Sequence, residues 1–151
     1  MDWTEVGALA TAITALIILV TGIFAILQLF EMKRTSQVSA FISVVQFLQE
    51  ERVREARRLL SSLREKKFEE WTPEEIQVAE LVCCRYDIVG IMVDNKLIKK
   101  KLIIQEWWRS IIVSWESAQP LISKYKNERG RDFWNNFENL YKEARKVQSG
   151  G

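Results

Sequence analysis

The sequence contains no histidine, and only two cysteines and two prolines occur in its 151 residues. The missing imidazole removes the commonest general acid–base catalyst and the commonest metal ligand. The cysteines, Cys83 and Cys84, are adjacent, and adjacent cysteines seldom pair because the bridge would strain the backbone. Two thiols without histidine also fall short of a structural zinc site. We therefore expect no metal, no cofactor and a reducing compartment.

Basic residues are absent from the first 30 positions, where Asp2 and Glu5 are the only charged residues. Residues 6–30 form an uncharged apolar segment that is about 37 Å long as a helix, enough to cross a hydrocarbon core of about 30 Å. A cleavable signal peptide would begin with basic residues and have a shorter apolar run. The segment therefore predicts one uncleaved transmembrane helix, with the lipid bilayer as its first partner.

The charges that flank this segment predict its orientation. Acidic residues precede it, whereas Lys33 and Arg34 follow it, and the positive flank of a membrane helix stays in the cytoplasm. Residues 1–5 are then a short extracytoplasmic N-terminus, with Trp3 in the outer interfacial belt and Lys33 and Arg34 at the inner interface. We expect a single-pass protein of the cell membrane with its C-terminal domain in the cytoplasm.

A stripe with a period of 3.5 residues runs along the apolar segment, and all its members except Ile18 are small or polar. Lipid gives no reason to collect hydroxyls and an amide on one stripe, whereas close packing against a second helix does. We expect a homo-oligomer joined through this seam. A homo-oligomeric ion pore lined by the same residues is an alternative, with Gln28 and Glu31 near its cytoplasmic mouth. A plain anchor is another, since threonine can bond its own backbone. The seam comprises Gly7, Thr11, Thr14, Ile18, Thr21, Ala25 and Gln28, with Glu31 at its end.

No glycine or proline occurs between Ile23 and Thr72. The membrane helix is therefore expected to continue, with little or no break, into an amphipathic helix over residues 31–70. Its apolar positions recur every three or four residues, which is typical of a helix packed on one face. They are Val38, Phe41, Ile42, Val45, Leu48, Ala56, Leu59, Leu60 and Leu63.

Residues 71–147 predict a helical bundle, followed by a frayed tail over residues 148–151. Thr72-Pro73-Glu74-Glu75 combines an N-cap, a first-turn proline and the glutamate of a capping box, and the helix should stop near Asp94-Asn95. Two further helices are expected from about Lys100 to Asn127 and from about Asp132 to Val147, with a kink or short break at Ala118–Gln119 before Pro120. The fold class is all-α: one N-terminal transmembrane helix and a cytoplasmic bundle of about four helices.

Patterns that indicate catalysis are missing from this sequence. It has no glycine-rich phosphate loop and no nucleophile motif. Glu80, Arg85 and Asp87 share one helix and could build a site, although such groups are more often structural ion pairs. Lys99-Lys100-Lys101 precedes Trp107-Trp108, but the tryptophans have core spacing, so we expect no nucleic acid partner. The sequence favours a non-enzymatic module that presents cytoplasmic helices to a protein partner.

Three short motifs carry a resemblance to a known family. They are Tyr-Asp-x-x-Gly at Tyr86, Asp87 and Gly90, a tryptophan-rich helix with a proline at Trp107, Trp115 and Pro120, and R-G-R-D-F-W-N-N-F-E-N-L from Arg129 to Leu140. With the N-terminal membrane helix, they resemble the DUF4760 family of small bacterial and archaeal proteins. The resemblance spans nearly the whole chain and implies a membrane-anchored helical domain with no assigned activity and no catalytic residues.

The same motif residues have a physical interpretation. Gly90 would let a neighbouring helix approach closely, because it has no Cβ. The large aromatic residues are spaced as packing anchors rather than as a site. These anchors are Tyr86, Trp107, Trp115 and Phe137.

Overall fold

The computed structural model describes residues 2–130 and 132–149, apart from the side chain of Glu5. Over these residues the chain is all-helical with no strand, which confirms the predicted fold class. Two short 3₁₀ turns, Leu63–Glu65 and Phe68–Glu70, connect the second and third helices. The α-helices are α1 (Trp3–Gln49), α2 (Glu51–Ser62), α3 (Pro73–Asp94), α4 (Lys100–Arg129) and α5 (Asn135–Ser149).

The chain divides into two compact units, the first ending at Val38 and the second beginning at Ser39. The first unit consists of α1 residues whose apolar side chains are exposed; Ile18, for example, is 67% exposed. Most of this unit belongs to the helix segment Val6–Gln49, which is long and apolar enough to cross a membrane by length and composition. Of the predicted N-terminal segment 1–5 and the predicted tail 148–151, Met1, Gly150 and Gly151 lie outside the described residues.

The start of α3 is formed by the capping box that the sequence predicts. The Thr72 hydroxyl accepts a hydrogen bond from the Glu75 backbone N–H at 3.2 Å, and the Glu75 carboxylate accepts one from the Thr72 N–H at 2.7 Å. Lys66 donates to the same carboxylate at 2.8 Å, and this bond, followed by that from Thr72, lowers the pKa of Glu75. The helix ends at Asp94, so both predicted ends are confirmed.

The single amphipathic helix expected over residues 31–70 is instead interrupted at Glu50. This residue has non-helical backbone angles (φ −49°, ψ 132°), and α2 starts directly after it. Arg85 of α3 stabilises the break, because its guanidinium pairs with the Glu50 carboxylate at 3.0 Å and lies 4.0 Å from the centre of the Phe47 ring. The break shifts the phase of the apolar stripe, so Val53 is buried while Leu59 is 41% exposed.

α4 is continuous through Pro120, so of the kink or short break expected at Ala118–Gln119 the break does not occur. Pro120 is solvent-exposed, whereas Ala118 and Leu121 beside it are fully buried. Core packing on both sides of the proline therefore holds the helix together despite the missing N–H. α4 ends at Arg129 and is followed by Gly130, whose φ of +112° suits glycine.

α5 begins at Asn135, three residues later than expected. Asp132–Trp134 form a turn, and Trp134 is buried with a φ of +54°. Burial of this indole between the rings of Phe133 and Tyr125, at centroid distances of 4.6 and 5.4 Å, accounts for the later start.

The hydrophobic core of the second unit lies among α3, α4 and α5, with α2 packed on α3 and α4. The C-terminal turns of α1 contribute Val44 and Leu48 to it. Among its largest fully buried side chains are Leu48, Leu60, Tyr86, Ile103, Ile111, Leu121, Phe137 and Leu140.

Candidate functional site

The seam residues of the first unit are all exposed along α1. Three of their hydroxyl groups donate a hydrogen bond to the backbone carbonyl four residues earlier, at 2.7–2.9 Å. These hydroxyls are therefore satisfied inside their own helix and need no second helix as an acceptor. The bonds run from Thr11 to Gly7, from Thr14 to Ala10 and from Thr21 to Ile17.

The remaining predicted membrane residues are also exposed. Ile18, Ala25, Gln28 and Glu31 lie along the seam, and a Cβ added to Gly7 would meet no heavy atom within 4 Å. Trp3, Lys33 and Arg34 lie at the two ends of the apolar run. The seam thus offers an open surface of small and polar residues, and self-association through it stays a prediction.

The five predicted packing anchors are all buried in the second unit. Tyr86 stacks on Phe137 with a centroid distance of 5.0 Å and an interplanar angle of 15°, and Trp115 meets Phe137 edge-on at 5.0 Å. Trp107 lies elsewhere, edge-on to Phe41 of α1 at 6.1 Å. Three of the four aromatic anchors therefore form one cluster, to which α3, α4 and α5 each contribute a ring.

Gly90 and Asp87 join α3 to the first turn of α5. A Cβ on Gly90 would lie 2.6 Å from the Asn136 carbonyl oxygen and 2.7 Å from its carbon. The Asp87 carboxylate accepts hydrogen bonds from the Phe137 backbone N–H at 3.0 Å and from the Asn136 side-chain amide at 3.3 Å. Asp87 thus caps α5 from another helix, and its charge complements the positive end of the helix dipole. We call these residues, with Tyr86, the α3–α5 joint.

The sequence predicts that Tyr86, Gly90 and Phe137 are packing residues but indicates no role for Asn136. The Asn-Asn pair in the last motif was the signal that could have found it, because asparagine favours helix starts. Nothing in the sequence indicates which helix Asn136 meets. The two motifs that pack together lie about 50 residues apart.

The charged residues considered as a site on α3 do not converge. Glu80 accepts a hydrogen bond from the Tyr125 hydroxyl, and this bond raises the pKa of Tyr125. Arg85 pairs with Glu50, and Asp87 caps α5. Each of the three side chains therefore has a different structural partner.

The Tyr86 hydroxyl links three helices inside the second unit. It shares a hydrogen bond with the Ser110 hydroxyl of α4 at 2.7 Å and accepts one from the Arg57 guanidinium of α2 at 3.4 Å. Nearby on α3, burial raises the pKa of the Cys83 thiol well above its usual range, so the thiol stays protonated, whereas Cys84 is exposed. In residues 2–130 and 132–149, no group of three or more acidic or cysteine side chains is placed to hold a metal ion.

A family model for a domain of unknown function, DUF4760, matches residues 15–144. The chain belongs to this family. The matched span includes the α3–α5 joint, so two motifs of this DUF4760 chain that are distant in sequence form one packed contact. The comparison with curated proteins gives no match, and neither does the comparison with solved structures.

Proposed function

We propose that this DUF4760 chain is a membrane-anchored, non-enzymatic module whose first unit lies in a bilayer and whose second unit is a cytoplasmic interaction domain. The observation that carries the proposal is the exposure of the apolar side chains of α1. No residue in its most apolar 18-residue window is buried by the rest of the chain. Water makes such exposure unfavourable by roughly 25 cal/mol for each Å² of apolar surface. A bilayer removes that penalty, and a helix satisfies its own backbone there.

The orientation follows from charge. The apolar run ends before Lys33 and Arg34, and basic flanks stay in the cytoplasm. The second unit then lies in the cytoplasm, where its two cysteines remain thiols.

The anchor can be tested by fractionation of cells that express the full chain. We expect the protein to stay in the membrane pellet after an alkaline carbonate wash and to keep an intact N-terminus by mass spectrometry. Release by carbonate would contradict the anchor. A mass that lacks the apolar segment would show instead that this segment is a cleaved signal sequence.

The orientation can be tested with the two neighbouring cysteines, because Cys84 is exposed and Cys83 is buried. A membrane-impermeant maleimide should label the protein only after cell lysis. The Cys84→Ser variant, which keeps the buried thiol, is the matched control and should remain unlabelled. Labelling of Cys84 in intact cells would place the second unit outside and overturn the orientation.

Self-association through the seam is the finer part of the proposal. The seam combines small residues with open space at Gly7, which lets a second backbone approach closely. Because the threonine hydroxyls already bond their own helix, close packing rather than hydroxyl bonding would supply the association.

Size measurements in detergent test this packing. Gly7→Leu with Ala25→Leu should reduce the oligomer to monomer, whereas Ala8→Leu with Ala15→Leu, which lie off the seam, should leave it unchanged. A wild-type monomer, or equal effects of both pairs, would contradict the seam. The pore alternative stays a prediction; an oligomer that carries no current in a planar bilayer would contradict it.

A further inference from the structure

A groove of about 480 Å³ on α2 is lined by basic and neutral polar residues and by no acid. We call it the α2 groove. Arg57 and Arg58 follow Arg54 by three and four positions and precede Ser61 by four and three, so these four lining residues share one face of the helix. The fifth comes from the end of α1. The lining residues are Gln49, Arg54, Arg57, Arg58 and Ser61.

The positive charges of the α2 groove lack carboxylate partners. Among the residues that the structure describes, Arg54 and Arg58 form no salt bridge, and Arg57 donates only to the Tyr86 hydroxyl. The nearby acid Glu50 is paired with Arg85, and Glu55 lines a separate groove. Like charges three and four residues apart repel each other on a helix, so a bound anion would relieve this repulsion.

A comparable basic cluster on α5 shows how carboxylates neutralise neighbouring positive charges in this chain. Lys142, Arg145 and Lys146 also line a groove without an acid in its lining. Each of them nevertheless has a carboxylate partner, at 2.7, 3.7 and 2.7 Å respectively. Both clusters therefore contain three basic side chains, but only those of the α5 cluster are paired with carboxylates.

One arginine of the α2 groove is held in place from the protein interior. The Tyr86 hydroxyl accepts a hydrogen bond from Arg57, and Tyr86 is fully buried and bonded to Ser110 on its other side. Anchoring one guanidinium nitrogen reduces the rotamer entropy that would be lost on binding. A guanidinium presents parallel N–H donors whose spacing matches two oxygens of a phosphate group.

We propose that the α2 groove is a binding site for a phosphate-bearing anion, held by Arg54, Arg57 and Arg58. The Gln49 amide and the Ser61 hydroxyl supply neutral donors at its rim. The proposal rests on the contacts of the second unit and is independent of the membrane anchor. A lipid headgroup and a free phosphate compound share this chemistry, and the experiment separates the two sources.

The affinity test uses the full chain in nanodiscs of zwitterionic phosphatidylcholine, with inorganic pyrophosphate as the probe in isothermal titration calorimetry. We expect saturable binding that Arg54→Gln with Arg58→Gln weakens by about tenfold or more, since charge-assisted hydrogen bonds are lost. Both side chains are exposed, so folding should be retained.

Lys142→Gln with Lys146→Gln removes the same charge from α5 and should leave binding unchanged. Equal weakening by both pairs would overturn the site.

The source of the phosphate is tested on the unmodified protein by phenylglyoxal labelling and peptide mass spectrometry. Pyrophosphate in phosphatidylcholine discs should protect Arg54 and Arg58 if the ligand is a free phosphate compound. Phosphatidylglycerol discs alone should protect them if it is a lipid headgroup. Arg145 of the α5 cluster is the internal reference. Protection in neither arm, or equal protection of Arg145, would overturn the proposal.

Discussion

Gly90 and Asp87 lie about one turn apart on α3, and both act on the first turn of α5. Gly90 provides the space for the Asn136 backbone, and Asp87 provides the acceptor for the Phe137 N–H. The close approach brings the carboxylate within hydrogen-bond distance of α5. These two residues therefore determine where α5 docks, and the stacked rings of Tyr86 and Phe137 fill the space beside them.

Gly90→Ala should destabilise the second unit. Alanine favours a helix over glycine by about 1 kcal/mol, but the new methyl would lie 2.6–2.7 Å from backbone atoms of Asn136 that cannot rotate away. Overpacking of this kind costs about 1–3 kcal/mol, so after the gain in helix preference we expect a net loss of up to about 2 kcal/mol, measured by thermal unfolding followed by near-ultraviolet circular dichroism. Cys84→Ala, at an exposed position of α3, is the control. An increase in stability would contradict the close contact.

Asp87→Ala should remove the cap of α5 and lower stability by about 1 kcal/mol, the usual effect of losing an N-cap acceptor. Asp87→Asn keeps an oxygen acceptor for the Phe137 N–H and should lose less. Hydrogen exchange can locate the effect, because the Phe137 backbone amide, which donates to Asp87, should exchange faster in the alanine variant. Unchanged exchange at Phe137 would exclude the capping role.

At the scale of elements, Pro120 is a residue whose local preference opposes the helix that contains it. It lies inside α4 and cannot donate the backbone bond that a helix requires. The buried neighbours Ala118 and Leu121 keep the helix continuous. The helix is therefore maintained by tertiary packing against its local preference.

Pro120→Ala should raise stability by about 1–2 kcal/mol. The variant regains a helical N–H, worth up to about 3 kcal/mol in an isolated helix, and loses part of this gain because the unfolded chain becomes more flexible. The side chain is exposed, so no cavity forms. Gln119→Ala, an exposed neighbour, should change stability little in the same thermal melts. A lower melting temperature for Pro120→Ala would indicate that packing requires the proline geometry.

The helix ends that can be predicted from the sequence are those determined by residues within the same turn. The capping box of Thr72 and Glu75 determines the start of α3 within one turn, and the structure has this start as predicted. The Glu50 carboxylate at the break pairs with Arg85, 35 residues away, and the Phe137 N–H of α5 is capped by Asp87, 50 residues away. The residue pattern of one helix does not indicate which distant residue will contact it, so neither the break at Glu50 nor the cap of α5 could be predicted.

At the scale of the whole molecule, the two units differ in whether the chain itself buries their apolar side chains. The second unit encloses its own core, whereas the apolar side chains of the first stay exposed. Among the described residues, the carboxylates whose pKa values are lowered are Glu75, Glu138 and Glu143, and all three belong to the second unit. Their partners are lysines, and two of the three sites join α4 to α5.

Acidification should destabilise the second unit. Hydrogen bonds lower the pKa of three glutamates. At Glu75 the largest contribution comes from Lys66, followed by the backbone of Thr72. At Glu138 it comes from Lys126, followed by Lys142, and at Glu143 from Lys146, followed by Lys100. A lowered folded-state pKa means that the unfolded chain takes up protons first as the pH falls. The stabilisation is therefore present above about pH 4.3, the ordinary pKa of glutamate, and is lost below it. Melting temperatures measured between about pH 6 and about pH 3 should fall mainly in the acidic half of that range.

Lys126→Met assigns part of this pH dependence to one pair. The variant removes the largest cause of the lowered pKa at Glu138 and leaves only Lys142 beside it. The loss of stability on acidification should then become smaller by roughly a third or less, since two other glutamates still contribute. Lys101→Met removes the same charge at an exposed position with no carboxylate partner in the described part of the chain, and its pH profile should match that of the wild type. If both variants flatten the profile equally, the acid sensitivity comes from net charge and not from the contact between α4 and α5.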